Sequence, residues 1–207
     1  MIRPTLAALA LTLATSAAQA MSVGYFHDAD RAITSIEAAL AFIDGRAADA
    51  TFASSAIDYP AGRDVLSSED SLAAFLGADA PSIAGDGSVA MRTSVTRFTG
   101  WLDLAAGPRS FEVGSDDGFA LFLGGRRVSQ FSDTRSFRTT SVMADLGAGR
   151  TPFELVYYEN GGSTGVRFSV DGEVVTGAAP IAAIPLPATM PMVLLGLGAF
   201  AWLRLRR

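Results

Sequence analysis

Asp116 and Asp117 stand side by side between Ser115 and Gly118, in a short loop flanked by two stretches of β-type alternation. Adjacent carboxylates offer the oxygen ligands that a hard cation takes. The same residues also suit a plain β-turn, in which an aspartate caps local N–H groups and glycine adopts positive φ. The residues alone leave both readings open. Little else in the chain is equipped for chemistry. There is one histidine, His27, and no cysteine, so a zinc cluster has no usable ligand set. A Ser-His-Asp triad would have to use His27, which reads as a loop or edge residue after the first strand, and no serine lies in a nucleophile-elbow pattern. Asp28 and Asp30 form a D-x-D pair, but Ala32 stands where an EF-hand loop needs its next ligand. Glu112, Glu154 and Glu159 are carboxylates that a glycosidase could recruit. Such an enzyme needs two of them roughly 5–10 Å apart across a cleft, and no spacing here pairs them. They read as solvated strand positions, and no enzymatic activity is expected.

The elements that must position the aspartates are mostly strands. Ser22 to Phe26 reads as a first strand. Thr34 with Glu37 forms a capping box for a helix whose apolar face is Ile36, Leu40 and Ile43, with Gly45 just past its end. Thr51 to Tyr59 reads as extended, ending at Pro60. A second helix is expected from Ser67 to Leu76, stopped by Gly77. From Thr93 onward the period switches to two. Phe98, Leu102 and Leu104 share one face; Arg97, Thr99, Trp101 and Asp103 share the other. Further strands are expected at Phe111-Val113, Phe119-Leu123, Arg127-Phe131, Thr139-Leu146, Phe153-Tyr158, Val166-Val170 and Glu173-Val175. Gly124-Gly125 and Asp171-Gly172 mark tight turns. Many short strands with glycine turns predict an all-β antiparallel sandwich or barrel with two helices near the N-terminus as decorations.

Both ends read as sorting segments. Residues 1–20 have a positive start at Arg3, an apolar run from Leu6 to Ala14 and an A-x-A site at Ala18-Gln19-Ala20, which is a signal peptide. Residues 21–176 form the domain and 177–183 a linker. In the tail, 184–207, the stretch from Ile184 to Leu203 carries no charge, and Arg204, Arg206 and Arg207 follow. Pro185, Pro187 and Pro191 confine the uninterrupted helix to Met192–Leu203, roughly 18 Å, a poor permanent membrane anchor. Between 21 and 180 there are 12 arginines, no lysine and 21 acidic residues, a formal charge of −9. An acidic surface of this size argues against nucleic acid as a partner. With no disulfides, the core must supply the stability, helped by any bound ion.

The motif Ile184-Pro185-Leu186-Pro187-Ala188, the apolar stretch and the terminal arginines resemble the PEP-CTERM class of sorting signals, in its VPLPA variant. That resemblance implies a Gram-negative bacterium, export by the Sec machinery, transient membrane insertion of the tail helix, and recognition and removal of the tail by an exosortase. The protein would then reach the cell surface or extracellular matrix. An ordinary C-terminal membrane anchor is the alternative.

Phe98-Thr99-Gly100-Trp101-Leu102, Gly114-Ser115-Asp116-Asp117-Gly118-Phe119 and Leu155-Val156-Tyr157-Tyr158-Glu159-Asn160 together resemble the PA-14 domain family, a β-sandwich module of bacterial glycosidases and yeast flocculins. Val23-Gly24-Tyr25-Phe26 and Ala56-Ile57-Asp58-Tyr59-Pro60 resemble its opening strands. In its sugar-binding branch, two aspartates joined by a cis peptide hold a calcium ion that in turn holds sugar hydroxyls. Carried across, the resemblance implies Ca2+ held by Asp116, Asp117, the Asn160 side chain and the carbonyls of Gly162 and Thr164. Asn160 is the only asparagine in the chain. The implied partner is a glycan, such as the cell's own exopolysaccharide, contacted at Asp116, Asp117 and Asn160. Trp101, on the polar face of its strand, could stack on the sugar or pack under a loop. The glycine-rich loop Gly161-Gly162-Ser163 and Thr164 offer no aromatic surface. The expected function is thus an exported calcium-dependent carbohydrate-binding module; the alternative is a structural matrix or adhesion protein without sugar binding.

Overall fold

A computed structural model describes residues 22–29 and 31–176 of the chain. The expected signal segment, linker and sorting tail lie outside the described residues. The described strands form two antiparallel sheets. The first runs in the order β5 (Ala84–Gly85), β2 (Ala50–Ser54), β1 (Ser22–Asp28), β6 (Ser94–Leu104), β11 (Gly149–Glu159), β8 (Phe119–Leu123) and β9 (Arg126–Phe131). The second runs β10 (Arg138–Ala144), β7 (Arg109–Asp116), β12 (Ser163–Val170) and β13 (Glu173–Val174), with β3 (Asp58–Tyr59) and β4 (Leu66–Ser67) also paired to β12. The expected all-β sandwich is the observed architecture.

Strand alternation builds the core between the sheets. Phe26, Phe52, Phe98, Phe119, Leu121, Leu155 and Tyr157 pack from the first sheet against Phe111, Val113, Val166 and Phe168 of the second, all nearly inaccessible to water. Each such side chain contributes roughly 1.5–3 kcal/mol by leaving water. Gly124 and Gly125 both take positive φ in the β8–β9 hairpin, and Asp171-Gly172 do the same between β12 and β13, as the turn chemistry predicted.

The helices are more than decorations. Helix α1 (Ile36–Ile43) lies on the outer face of the first sheet and closes a second core. Ile33, Ile36, Ala39, Phe42 and Ile43 pack there with Val95, Ala120, Val156 and Tyr158. This is why β11 is buried on both faces at Leu155 to Tyr158. The N-cap is Ser35, whose hydroxyl accepts from the Ala38 N–H, not Thr34; Glu37 instead reaches across to Ser132 and Arg127. Leu40 is only partly buried, while Ala39 and Phe42 complete the apolar face. Helix α2 is shorter than expected, Leu72–Leu76 with Ser71 as its cap, because Leu66–Ser67 is instead drawn into a strand against β12. The extended stretch after β2 breaks at residues 55–57 before β3 resumes it. His27 is neither loop nor edge: it lies inside β1, a central strand, and is 1% exposed.

Candidate metal and ligand site

Two chain crossings between the sheets meet at one end of the sandwich. Strand β7 ends at Asp116 in the second sheet, and β8 begins at Phe119 in the first, so Asp116, Asp117 and Gly118 make the first crossing. Strand β11 ends at Glu159 in the first sheet, and β12 begins at Ser163 in the second; residues 160–162 make the other. Backbone bonds tie the crossings together. The Asp117 N–H donates to the Tyr158 carbonyl at 3.3 Å, and the Tyr158 N–H to the Gly118 carbonyl at 3.0 Å. Gly118 must be glycine, since a Cβ there would lie 2.5 Å from Tyr158 Cε1 and 2.7 Å from the Phe131 carbonyl. The Asp116–Asp117 peptide bond is cis, the arrangement the family resemblance implies.

At this junction one oxygen each of Asp116, Asp117 and Glu159 lies within 4.8 Å of the other two, and all three residues are buried. Asp117 is held on both sides: Oδ1 accepts from the Arg135 N–H at 3.0 Å and Oδ2 from the Asn160 N–H at 2.9 Å. The Ser115 hydroxyl donates to the Asp117 carbonyl at 2.6 Å and accepts from the Arg135 guanidinium at 2.8 Å. Arg135 also lies over the Phe131 ring at 4.2 Å. Beneath the cluster, the Tyr157 hydroxyl donates to the Asp116 carbonyl, accepts from the Gly165 N–H at 3.1 Å and sits 2.7 Å from the Thr164 hydroxyl. Tyr157 therefore ties the first crossing and the start of β12 to the inner face of β11.

The electrostatics fit a cation. Burial, then the neighbouring Asp117 charge, pushes Asp116 up to about 6. Burial raises Asp117 as well. Burial, reinforced by both aspartates, lifts Glu159 to about 9 despite the Gly161 N–H that its carboxylate accepts. Three carboxyls that resist ionising in one buried place are relieved by a positive ion among them. One atom also waits for a partner: Asn160 Oδ1 is buried and accepts no hydrogen bond. An unmet buried acceptor costs roughly 1–3 kcal/mol, a cost removed by a ligand or a cation.

The structure therefore brings together Asp116, Asp117 and Asn160. Gly162 lies on the same crossing as Asn160 and Thr164 just beyond it in β12, but their neighbourhood is partly committed. The Gly162 carbonyl accepts the Ser68 N–H at 3.0 Å, leaving one lone pair, and Thr164 is buried opposite Leu66 with its hydroxyl against Tyr157. Trp101 is not brought to the cluster. Ser94 pairs with Glu159 at the crossing end, and Trp101 is seven residues further along β6, roughly 24 Å away at strand rise. It is 39% exposed on the outer face, with the Arg150 guanidinium 5.1 Å from its ring centre. Sequence reasoning missed Glu159 as a member of the cluster, and Arg135, Ser115 and Tyr157 as its supports. Only Glu159 left a signal, its place directly before Asn160. Glu112, by contrast, is tied to Ser110 and Ser169.

No protein-family model matches this chain, and none of the curated proteins does. Solved structures do. The PA14 domain of the MpAFP antifreeze protein matches with a TM-score of 0.68 at 22% identity, over 80% of this chain and 94% of that one. A PA14 sugar-binding domain from an RTX adhesin matches with a TM-score of 0.65 at 23% identity, over 78% of this chain and 99% of that one. The A domain of epithelial adhesin 6 from Candida glabrata, in complex with Galb1-3GlcNAc, matches at 0.53 and 11% identity, over 78% and 85% of the two chains. Similarity at these identities speaks to the fold, and the fold of this chain is that of a PA14 domain.

Proposed function

We propose that this domain is a calcium-dependent carbohydrate-binding module of an exported surface or matrix protein. The observation that carries the reading is the cluster of Asp116, Asp117 and Glu159 carboxylate oxygens where the two crossings meet, beside Asn160, whose N–H holds Asp117 and whose buried Oδ1 accepts no hydrogen bond. The Asp116, Asp117 and Asn160 side chains would hold the ion, with the Gly162 and Thr164 carbonyls as its backbone ligands. Glu159 is close enough to join them or to accept from a bound ligand. Calcium there supplies charge and open coordination positions to which vicinal sugar hydroxyls can bind. Two carboxylates neutralise a divalent ion, which suits the modest affinity of extracellular modules, about 10⁻⁴–10⁻³ M.

The fold neighbours support the glycan half of the reading, since two of them are a sugar-binding domain and an adhesin holding a galactosyl disaccharide. The signal segment and the exosortase-type tail support export to the cell surface of a Gram-negative bacterium. The test is a glycan array probed with the protein in millimolar calcium and again with chelator. Binding to a subset of glycans that chelator abolishes is expected. Calcium-dependent stabilisation with no glycan bound would leave the matrix-protein role in its place.

A further inference from the structure

Away from the crossings, the outer face of the first sheet carries a second feature. Beyond the C-terminal end of α1, a groove of about 450 Å³ opens against β6 and β11, lined by Ile43, Asp44, Arg97 and Glu154 among others. Three of these side chains are charged, and among the described residues Asp44, Arg97 and Glu154 make no side-chain hydrogen bond or ion pair. Arg97 rests its guanidinium 4.6 Å from the centre of the Tyr25 ring, and its Nε is buried without an acceptor. Register places Tyr25, Arg97, Thr99, Trp101 and Glu154 on one face: Tyr25 opposite Arg97, and Glu154 opposite Thr99 and diagonal to Trp101. Trp101 and Val23 are exposed on that same face.

We propose that this groove is a second, calcium-independent subsite for a neutral polysaccharide chain. Its chemistry selects the occupant. Arg97 offers only donors; the carboxylates of Asp44 and Glu154 offer only acceptors. A sugar hydroxyl both donates and accepts, so neighbouring hydroxyls satisfy both kinds of group. An anionic ligand would meet two carboxylates, and a cationic one the guanidinium. A peptide strand cannot add here, because β6 and β11 are interior strands whose backbone groups are already paired. Recognition must come from side chains on the sheet face, and Trp101 continues that face with an aromatic surface suited to a sugar ring.

The subsite is independent of the crossing cluster, so its test is run in EDTA and repeated on Asp117→Ala. Cellohexaose, laminarihexaose and maltohexaose are titrated to millimolar concentration while backbone amide shifts are followed by NMR. At least one should move the amides of Tyr25, Arg97, Trp101 and Glu154 while leaving those of residues 116–118 and 160–162 in place. Glu154→Gln, which keeps the shape but replaces the carboxylate, should weaken that binding about tenfold, the equivalent of one charged hydrogen bond. Trp101→Ala should weaken it further. The proposal is overturned if none of the three moves these amides in EDTA, if the shifts need calcium, or if Glu154→Gln leaves affinity unchanged.

Discussion

Strands β6 and β11 run side by side from the crossing end, where Ser94 faces Glu159, past Trp101 and Pro152 to the far end, where Leu104 faces Gly149. The crossing end and the outer face of these strands solve different problems. At the crossings, charged groups are buried and held from several directions by backbone N–H groups. On the outer face, charged groups line a groove, where among the described residues Asp44, Arg97 and Glu154 make no side-chain hydrogen bond or ion pair and Arg97 rests on the Tyr25 ring. The first arrangement depends on two connections meeting in space. The second depends only on alternation along strands that are already paired. A change at the crossings should therefore disturb fold and site together, while a change on the outer face should leave the fold alone.

The harshest way to break that contrast is Gly118→Ala. The new methyl has no room between Tyr158 and the Phe131 carbonyl, so a loss of about 3 kcal/mol in urea unfolding is expected, with calcium binding lost as well. A variant within about 1 kcal/mol of wild type would mean that the crossings are looser than described. Next comes Tyr157→Phe, which removes the hydroxyl shared by Asp116, Thr164 and Gly165. Leaving buried partners unmet should cost about 2 kcal/mol and weaken calcium binding without touching any ligand atom.

The pH dependence sharpens the comparison further. Asp116 and Glu159 keep their protons more tightly in the folded state, at about 6 and about 9 against ordinary values of 3.8 and 4.5. The folded chain then binds more protons than the unfolded one, so metal-free stability should fall as pH rises from about 4 to about 9. Calcium should flatten this slope. His27, buried in β1 with neither ring nitrogen hydrogen-bonded, works the other way. Burial holds it below its ordinary 6.5, so the unfolded chain takes up its proton first and stability falls as pH drops below about 6.5. Thermal midpoints of wild type and His27→Gln across this range should separate in acid, the variant losing less. Parallel curves would show that His27 does not titrate as described. The smallest effect belongs to the outer face: Trp101→Ala should change stability by under about 0.5 kcal/mol and leave calcium affinity unchanged.

The strands and hairpins were legible in the sequence because alternation and paired glycines are local signals. The turn at Gly124-Gly125 needs positive φ at both positions, and glycine supplies it wherever the rest of the chain goes. The helix cap slipped by one residue because Thr34 and Ser35 carry the same hydroxyl, and only the path of the chain decides which one meets the Ala38 N–H. Ser67 read as a helix start because the pairing partner of Leu66–Ser67, Ser163–Thr164, lies nearly a hundred residues away. Of the site, Asp116, Asp117 and Asn160 could be assembled from motif resemblance. Glu159 was marked only by its place before Asn160; that its carboxylate joins the two aspartates shows only once the sheets are placed. The place of Trp101 was legible only in part: its face follows from alternation, but its distance from the aspartates depends on register.

The most direct test of the calcium site is a calorimetric titration of calcium into the metal-free protein, beside Asp117→Ala and Asn160→Ala. Wild type should bind one ion with a dissociation constant of about 10⁻⁴–10⁻³ M. Asp117→Ala should show no binding and Asn160→Ala a clearly weaker one. No heat from wild type at millimolar calcium, or an affinity unchanged by Asp117→Ala, would contradict the account.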